Sequence, residues 1–199
     1  MPSLRALCNL SRIVPRNVER RWLSGIAGDE NYFALLGARY GFSLDEGQLY
    51  QQHKKLMRSW HPDRFAEDAE GQERALSRAS MINSAYSTLR KPHLRARYIL
   101  ELEGIPLKED ENEPVDDMEF LAFVMNIREV LESEPKKREL EDLKSQIDKL
   151  CQESLLQAET ALSQIKSDPK MKEVIRKQAS KLQYLHRISE EIHRLTEVK

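Results

Sequence analysis

Thiols are nearly missing from this chain: of 199 residues only Cys8 and Cys151 are cysteine, and no Cys-x-x-Cys pair occurs. Two isolated thiols cannot build a tetrahedral zinc site or a four-thiolate iron–sulfur site within one chain. A disulfide is not expected either, because Cys8 lies in a basic segment whose composition marks it for removal. Glycine and proline are also scarce, at seven and eight residues, which suits a helix-rich protein and argues against loop-rich designs. No run of about 18 apolar residues is present, so no membrane-spanning helix is expected. Net charge is lacking too, with Lys plus Arg at 32 and Asp plus Glu at 33. A general nucleic-acid binder would need a basic surface. The near-zero sum hides strong segregation along the chain.

Residues 1–27 hold Arg5, Arg12, Arg16, Arg20 and Arg21 against the single acid Glu19, interleaved with Leu4, Leu7, Leu10, Ile13, Val14, Val18 and Trp22. An Arg-rich, acid-poor, amphipathic N-terminus has the composition of a mitochondrial transit peptide. A mitochondrial matrix location is therefore expected, with a retained basic tail as the alternative. Arginines interrupt every stretch that could serve as a secretory signal. Residues 108–119 (KEDENEPVDDME) are dense in acids and have almost nothing to bury, which reads as a linker.

Between these segments the apolar spacing is helical. Residues 30–36 (ENYFALL) predict a short helix capped by Asp29 or Asn31 and burying Phe33, Leu35 and Leu36. Gly37 and Gly41 follow, and Ser43 or Asp45 can cap the next helix. Residues 46–60 carry Leu49, His53, Leu56 and Trp60 on one face. Pro62 then forbids continuation. A second ladder, Ala75, Ala79, Ile82, Tyr86 and Leu89, runs through residues 70–90 and stops at Lys91-Pro92. Residues 93–103 predict a fourth helix, ended by Gly104-Ile105-Pro106.

Beyond the acidic segment three more stripes appear. They are Met118, Leu121 and Met125 with Val124; Leu140, Leu143, Ile147, Leu150, Leu155 and Leu162; and Val174, Ile175, Leu182, Leu185, Ile188, Ile192 and Leu195. Pro135 and Asp168-Pro169 fall at the junctions. Three such helices can shield one another as a bundle. No strand pattern and no internal repeat is present.

Chemistry concentrates in His61-Pro62-Asp63, where the basic helix stops. A hydrolytic acid–base pair would need a nucleophile, an oxyanion site and a pocket, and the pattern supplies none of them. A loop that recognises a partner fits better. Asp63 can offer a carboxylate to a basic group of a partner, while Pro62 stiffens the loop and so reduces the entropy lost on docking. Lys54, Lys55 and Arg58 form the solvent side of the preceding helix, a charge pattern suited to steering it onto an acidic surface.

Two antiparallel helices joined by an HPD-bearing loop resemble the J-domain of DnaJ-type co-chaperones. The resemblance extends further. NYFALLG, SWHPDRFA, INSAYSTLRKPHLRARYILELEGI and EFLAFVMNIREVLE are similar to the HscB/Jac-type iron–sulfur co-chaperone family, over about residues 31–199 and most weakly in 135–175. The resemblance implies an all-α protein, an N-terminal J-domain helical hairpin plus a C-terminal three-helix bundle. It divides the chain into a transit peptide (1–27), a J-domain with an extra helix (29–104), an acidic linker (105–117) and a scaffold-binding bundle (118–199).

The family role implies that His61, Pro62 and Asp63, with Lys54, Lys55 and Arg58, engage a mitochondrial DnaK/HscA-type chaperone and activate its ATPase. It also implies an IscU-type scaffold partner, on which iron–sulfur clusters are assembled. The family's scaffold-binding face carries over to Leu121, Ala122, Met125, Asn126 and Glu129 on the first bundle helix and Tyr184 on the last. Residues 121, 125 and 129 also recur at a spacing that puts them on one helix face. The alternative is that Leu121, Met125 and Tyr184 are bundle core.

Two departures stand out. The family often has a larger apolar residue at Ala122 and an acid at Asn126, which is expected to change how this surface binds. The zinc-binding cysteines of some mitochondrial relatives have no counterpart, so no metal or other cofactor is expected. The implied protein is an adaptor without a catalytic site of its own, with no nucleic-acid or membrane partner and with self-association left open. A J-protein for other clients, and a helical assembly factor whose HPD is incidental, remain as rival readings.

Overall fold

A computed structural model of the chain describes residues 31–65, 69–105, 117–133 and 135–198. The expected transit segment and most of the acidic segment lie outside the described residues. Among those residues every regular element is helical. The chain is an all-α protein.

The first helix, α1 (Tyr32–Leu35), is one turn long, and Asn31 Oδ1 caps it by accepting from Ala34 N–H at 2.8 Å. It is followed by α2 (Glu46–Ser59), capped by Asp45, whose carboxylate accepts from Gln48 N–H at 3.0 Å. A 3-10 turn (Pro62–Phe65) leads to α3 (Ala69–Arg90). Helix α4 (Pro92–Leu102) begins with proline in its first turn, where a missing N–H costs nothing. Its end depends on Gly104, at φ 63. Gly104 N–H donates to Glu101 O at 3.2 Å and Ile105 N–H to Leu100 O at 2.9 Å, a paired closure that needs a left-handed residue. Ile105 is buried beneath it and Asp117 caps the next helix. Both ends of the 105–117 segment therefore belong to folded structure.

Three long helices follow: α5 (Met118–Glu132), α6 (Lys137–Gln164) and α7 (Met171–Val198). Two apolar cores result. The second joins Phe120, Val124, Ile127 and Leu131 of α5 to Leu140, Leu143 and Ile147 of α6 and Leu185, Ile188 and Ile192 of α7. The first gathers Phe33, Phe42, Leu49, Ile82, Leu89 and Ile99 together with Ala158 and Ala161 of α6 and Ile175, Ala179 and Leu182 of α7. The α6–α7 hairpin therefore completes the N-terminal core with one end and the bundle core with the other.

Two stripes fall differently from their sequence reading. Met118 and Met125 are 82% and 71% exposed, and the buried face of α5 is Phe120, Val124, Ile127 and Leu131. In α6 the stripe continues through Ser154, Ala158 and Ala161, with Leu150, Leu155 and Leu162 only half-buried. Small residues there suit the close packing of α6 against α7 and the first core.

At the same junction His93 of α4 is buried and stacks on His186 of α7, with ring centroids 3.6 Å apart. Burial, reinforced by the neighbouring His186 and Lys91, pushes His93 down to about 3. His186 is lowered as well by burial, opposed by Glu190 at 3.2 Å and assisted by Lys91 and Arg187. A histidine that stays neutral in the fold but takes a proton when unfolded makes stability full above the ordinary value of 6.5 and drains it as pH falls toward 3. We expect thermal unfolding scans from pH 7 to pH 4 to show an acid-side loss, of which His93 accounts for about 3 kcal/mol. His93→Leu should flatten that slope. An identical slope in the variant would refute the assignment.

Candidate functional site

Helices α2 and α3 are held as an antiparallel pair by contacts that the turn between them requires. The His53 ring stacks on Tyr86 at 4.2 Å, and its Nε2 lies 2.9 Å from Asn83 Oδ1. Near the turn, Trp60 stacks on Phe65 at 6.1 Å between centroids, with the Arg78 guanidinium 5.9 Å from the indole. Trp60 and Phe65 thus close the turn from its two ends. Inside it, Arg64 N–H donates to His61 O at 3.1 Å, and Pro62 supplies the fixed φ with which the 3-10 turn starts.

The polar groups of the turn remain open to solvent. The side chains of His61 and Asp63 are 55% and 88% exposed. Asp63 N–H donates to His61 Nδ1 at 3.3 Å. His61 is thereby oriented by its own loop through Nδ1, and the Asp63 carboxylate, 3.4 Å from that nitrogen, keeps most of its accepting capacity. Nearby, Lys54, Lys55 and Arg58 are exposed and line one shallow depression with Gln51 and Ser59. The structure thus brings all six residues expected to engage the chaperone onto α2 and the turn that follows it.

The second candidate surface lies on the bundle. Asp117 fixes its start: one carboxylate oxygen accepts from Phe120 N–H at 3.1 Å, and the other lies 2.7 Å from Lys181 Nζ and 3.6 Å from Lys177 Nζ. The hydrogen bond from Lys181, followed by that from the Phe120 N–H, holds this carboxyl down to about 2. Helix α5 is thereby pinned to α7. Ala122, Met125, Asn126 and Glu129 are exposed, and Leu121 is half-buried. Tyr184 is half-buried too, edge-on to Phe120 at 6.3 Å with the Arg187 guanidinium 6.0 Å from its ring. Of the two readings of these residues, core or surface, the exposed one holds for Met125, while Leu121 is half-buried and Tyr184 packs against the bundle core. Among the described residues, no group of three or more His, Cys, Asp or Glu is placed to hold a metal ion.

Several structurally important groups were not anticipated from the sequence. Asp117 had a signal, since it immediately precedes an apolar run and Phe120 stands three residues on, the spacing of a side-chain cap. The His93–His186 stack, the buried Arg95 and the long-range partner of Glu159 had none, because each depends on which helices meet.

Known proteins fit this arrangement. Residues 116–193 match the family described as the HSCB C-terminal oligomerisation domain. The "Co-chaperone protein HscB homolog" of Aeromonas hydrophila is 34% identical over 170 residues, which is 82% of this chain and 95% of that protein. The "Co-chaperone protein HscB" of Proteus mirabilis is 38% identical over 114 residues, 57% of this chain and 65% of that protein. Among solved structures, chaperone HscB from Vibrio cholerae superposes with a TM-score of 0.69 at 29% identity, covering 85% of this chain and 99% of that one. The crystal structure of human co-chaperone HscB gives 0.70 at 24% identity, covering 97% and 91%, a likeness of fold.

Proposed function

Since the chain belongs to the HscB family of J-domain co-chaperones of iron–sulfur cluster biogenesis, we propose that it activates a DnaK/HscA-type chaperone ATPase and delivers an IscU-type scaffold to it. The observation that carries the first half is the exposed, pre-oriented His61-Pro62-Asp63 turn beside Lys54, Lys55 and Arg58. A rigid turn with one imidazole and one carboxylate is suited to lock onto a partner groove, and the cationic helix favours an acidic partner surface. The Met125-centred face supports the second half. An exposed Met beside a half-buried Leu and Tyr has the composition of a small recognition patch.

The chain then acts as an adaptor without its own chemistry. Holding scaffold and chaperone on one molecule raises the effective concentration of each for the other. Steady-state ATPase assays with a DnaK-type chaperone, with and without the scaffold, test this directly. The chain should accelerate turnover alone and further with scaffold present. No acceleration in either case would overturn the reading.

Residues 1–27 support a mitochondrial matrix location for this adaptor. Deleting them should abolish import into isolated mitochondria while leaving the melting temperature of the helical fold essentially unchanged. Normal import of the truncated chain would argue against a transit peptide.

A further inference from the structure

One carboxylate ties the N-terminal region to the long hairpin. Glu159 lies on α6, 117 residues beyond Phe42 in sequence, and its Oε2 accepts from Phe42 N–H at 2.5 Å and from Ser43 N–H at 3.2 Å. Its Oε1 lies 3.7 Å from Arg39 Nη2. Gly41 leaves room for this approach. Its φ is +156, and a Cβ there would stand 2.8 Å from both oxygens of Glu159. On the inner side, buried Arg95 of α4 feels Glu46 and Glu159 as its counter-charges, and its Nη1 donates to Leu89 O at 2.6 Å.

The grip is placed where it can set direction. Phe42 is fully buried in the first core, and Asp45, two residues past Ser43, caps α2. The gripped loop therefore feeds straight into the helix that carries Lys54, Lys55 and Arg58. At its other end α6 packs Leu140, Leu143 and Ile147 against α5. Its 28 residues make a rod of about 40 Å. The apolar neighbours of Glu159 on α6 that pack on this core are Leu155, Ala158, Ala161 and Leu162, and their contacts are non-directional. Two charge-assisted N–H bonds to one carboxylate are directional.

We propose that Glu159 is a positioning residue that sets the angle between the His61-Pro62-Asp63 hairpin and the Met125-bearing bundle, so that a scaffold held on α5 meets the chaperone in one orientation. The functional part rests on the reading under Proposed function, and the geometric part stands alone.

Both parts can be measured on the full chain. Spin labels at Glu73→Cys and Lys144→Cys, exposed positions on α3 and α6, in a Cys8→Ser, Cys151→Ser background report the angle as a distance distribution. Glu159→Ala should broaden that distribution at least twofold. Glu159→Gln, which keeps an acceptor for Phe42 N–H, should restore most of the narrowness, and it also serves if the alanine variant fails to fold. In ATPase assays Glu159→Ala should stimulate normally without scaffold but lose several-fold of the scaffold-dependent increment. An unchanged distribution in the alanine variant, or a distribution equally broad in both variants, overturns the proposal. So does a broadened distribution with an undiminished scaffold increment. If the wild-type chain shows no scaffold increment at all, the delivery reading fails, while the distance measurement still decides whether Glu159 sets the angle.

Discussion

His61→Gln is expected to reduce stimulation of a DnaK-type ATPase to background while leaving the protein folded. The side chain is more than half exposed, and its Nδ1 meets the backbone N–H and carboxylate of Asp63 within its own turn. Its loss therefore removes little burial, and surface changes of this kind cost within about 0.5 kcal/mol. The turn keeps its shape through Pro62, the Arg64–His61 backbone bond and the Trp60–Phe65 stack. What disappears is a ring that presents Nε2 outward while its Nδ1 is anchored to Asp63. Glutamine can imitate one nitrogen but not the anchored ring. Melting temperature and ATPase stimulation should be read on the same preparation. A variant that melts like wild type and still stimulates fully would sink the role assigned to this turn.

Leu121→Ala combined with Met125→Ala and Tyr184→Ala should weaken scaffold binding by about 100-fold or more. Recognition residues of this kind contribute about 1–2 kcal/mol each, and they do not simply add. The cost to the fold should be modest and should come mainly from Tyr184, which loses its edge-on contact with Phe120. Met125, at 71% exposed, has little to lose. Ile127→Ala provides the contrast, because that side chain is fully buried in the bundle core and its truncation should cost about 2–5 kcal/mol of stability. Circular dichroism melts and isothermal titration on the same samples separate the two effects. A folded triple variant with undiminished affinity would remove this face from consideration.

How far the sequence could be read depended on the range of the interaction. Asn31 and Asp45 as caps, the proline stops at 62 and 92, and the glycine end at 104 are local events, and each was readable from its neighbours. The ladder of α7 was readable too, since Ile175, Leu182, Leu185, Ile188 and Ile192 are all buried. For helix α5 the sequence left core and surface open for Leu121 and Met125, and only Val124 of the stripe read there is buried. Methionine and leucine at 118, 121 and 125 form a stripe as periodic as the true one, and hydropathy cannot say which of two apolar faces meets a neighbour. The HPD turn was readable because its chemistry lies within three consecutive residues. The grip of Glu159 and the His93–His186 stack were not, because each needs two helices brought together from distant sequence.

That α6–α7 closes the first core also governs how the chain comes into being. Phe42, Ile82 and Ile99 need Ala158, Ile175 and Leu182 to complete their burial. The half that emerges first from a ribosome therefore holds an unfinished core until the last helix arrives. At about 5–20 residues per second this delay is on the order of several seconds. Contacts of such long sequence separation also slow the final search. A protein whose proposed task is to hand clients to a chaperone thus leaves its own apolar surface uncovered while it is being made.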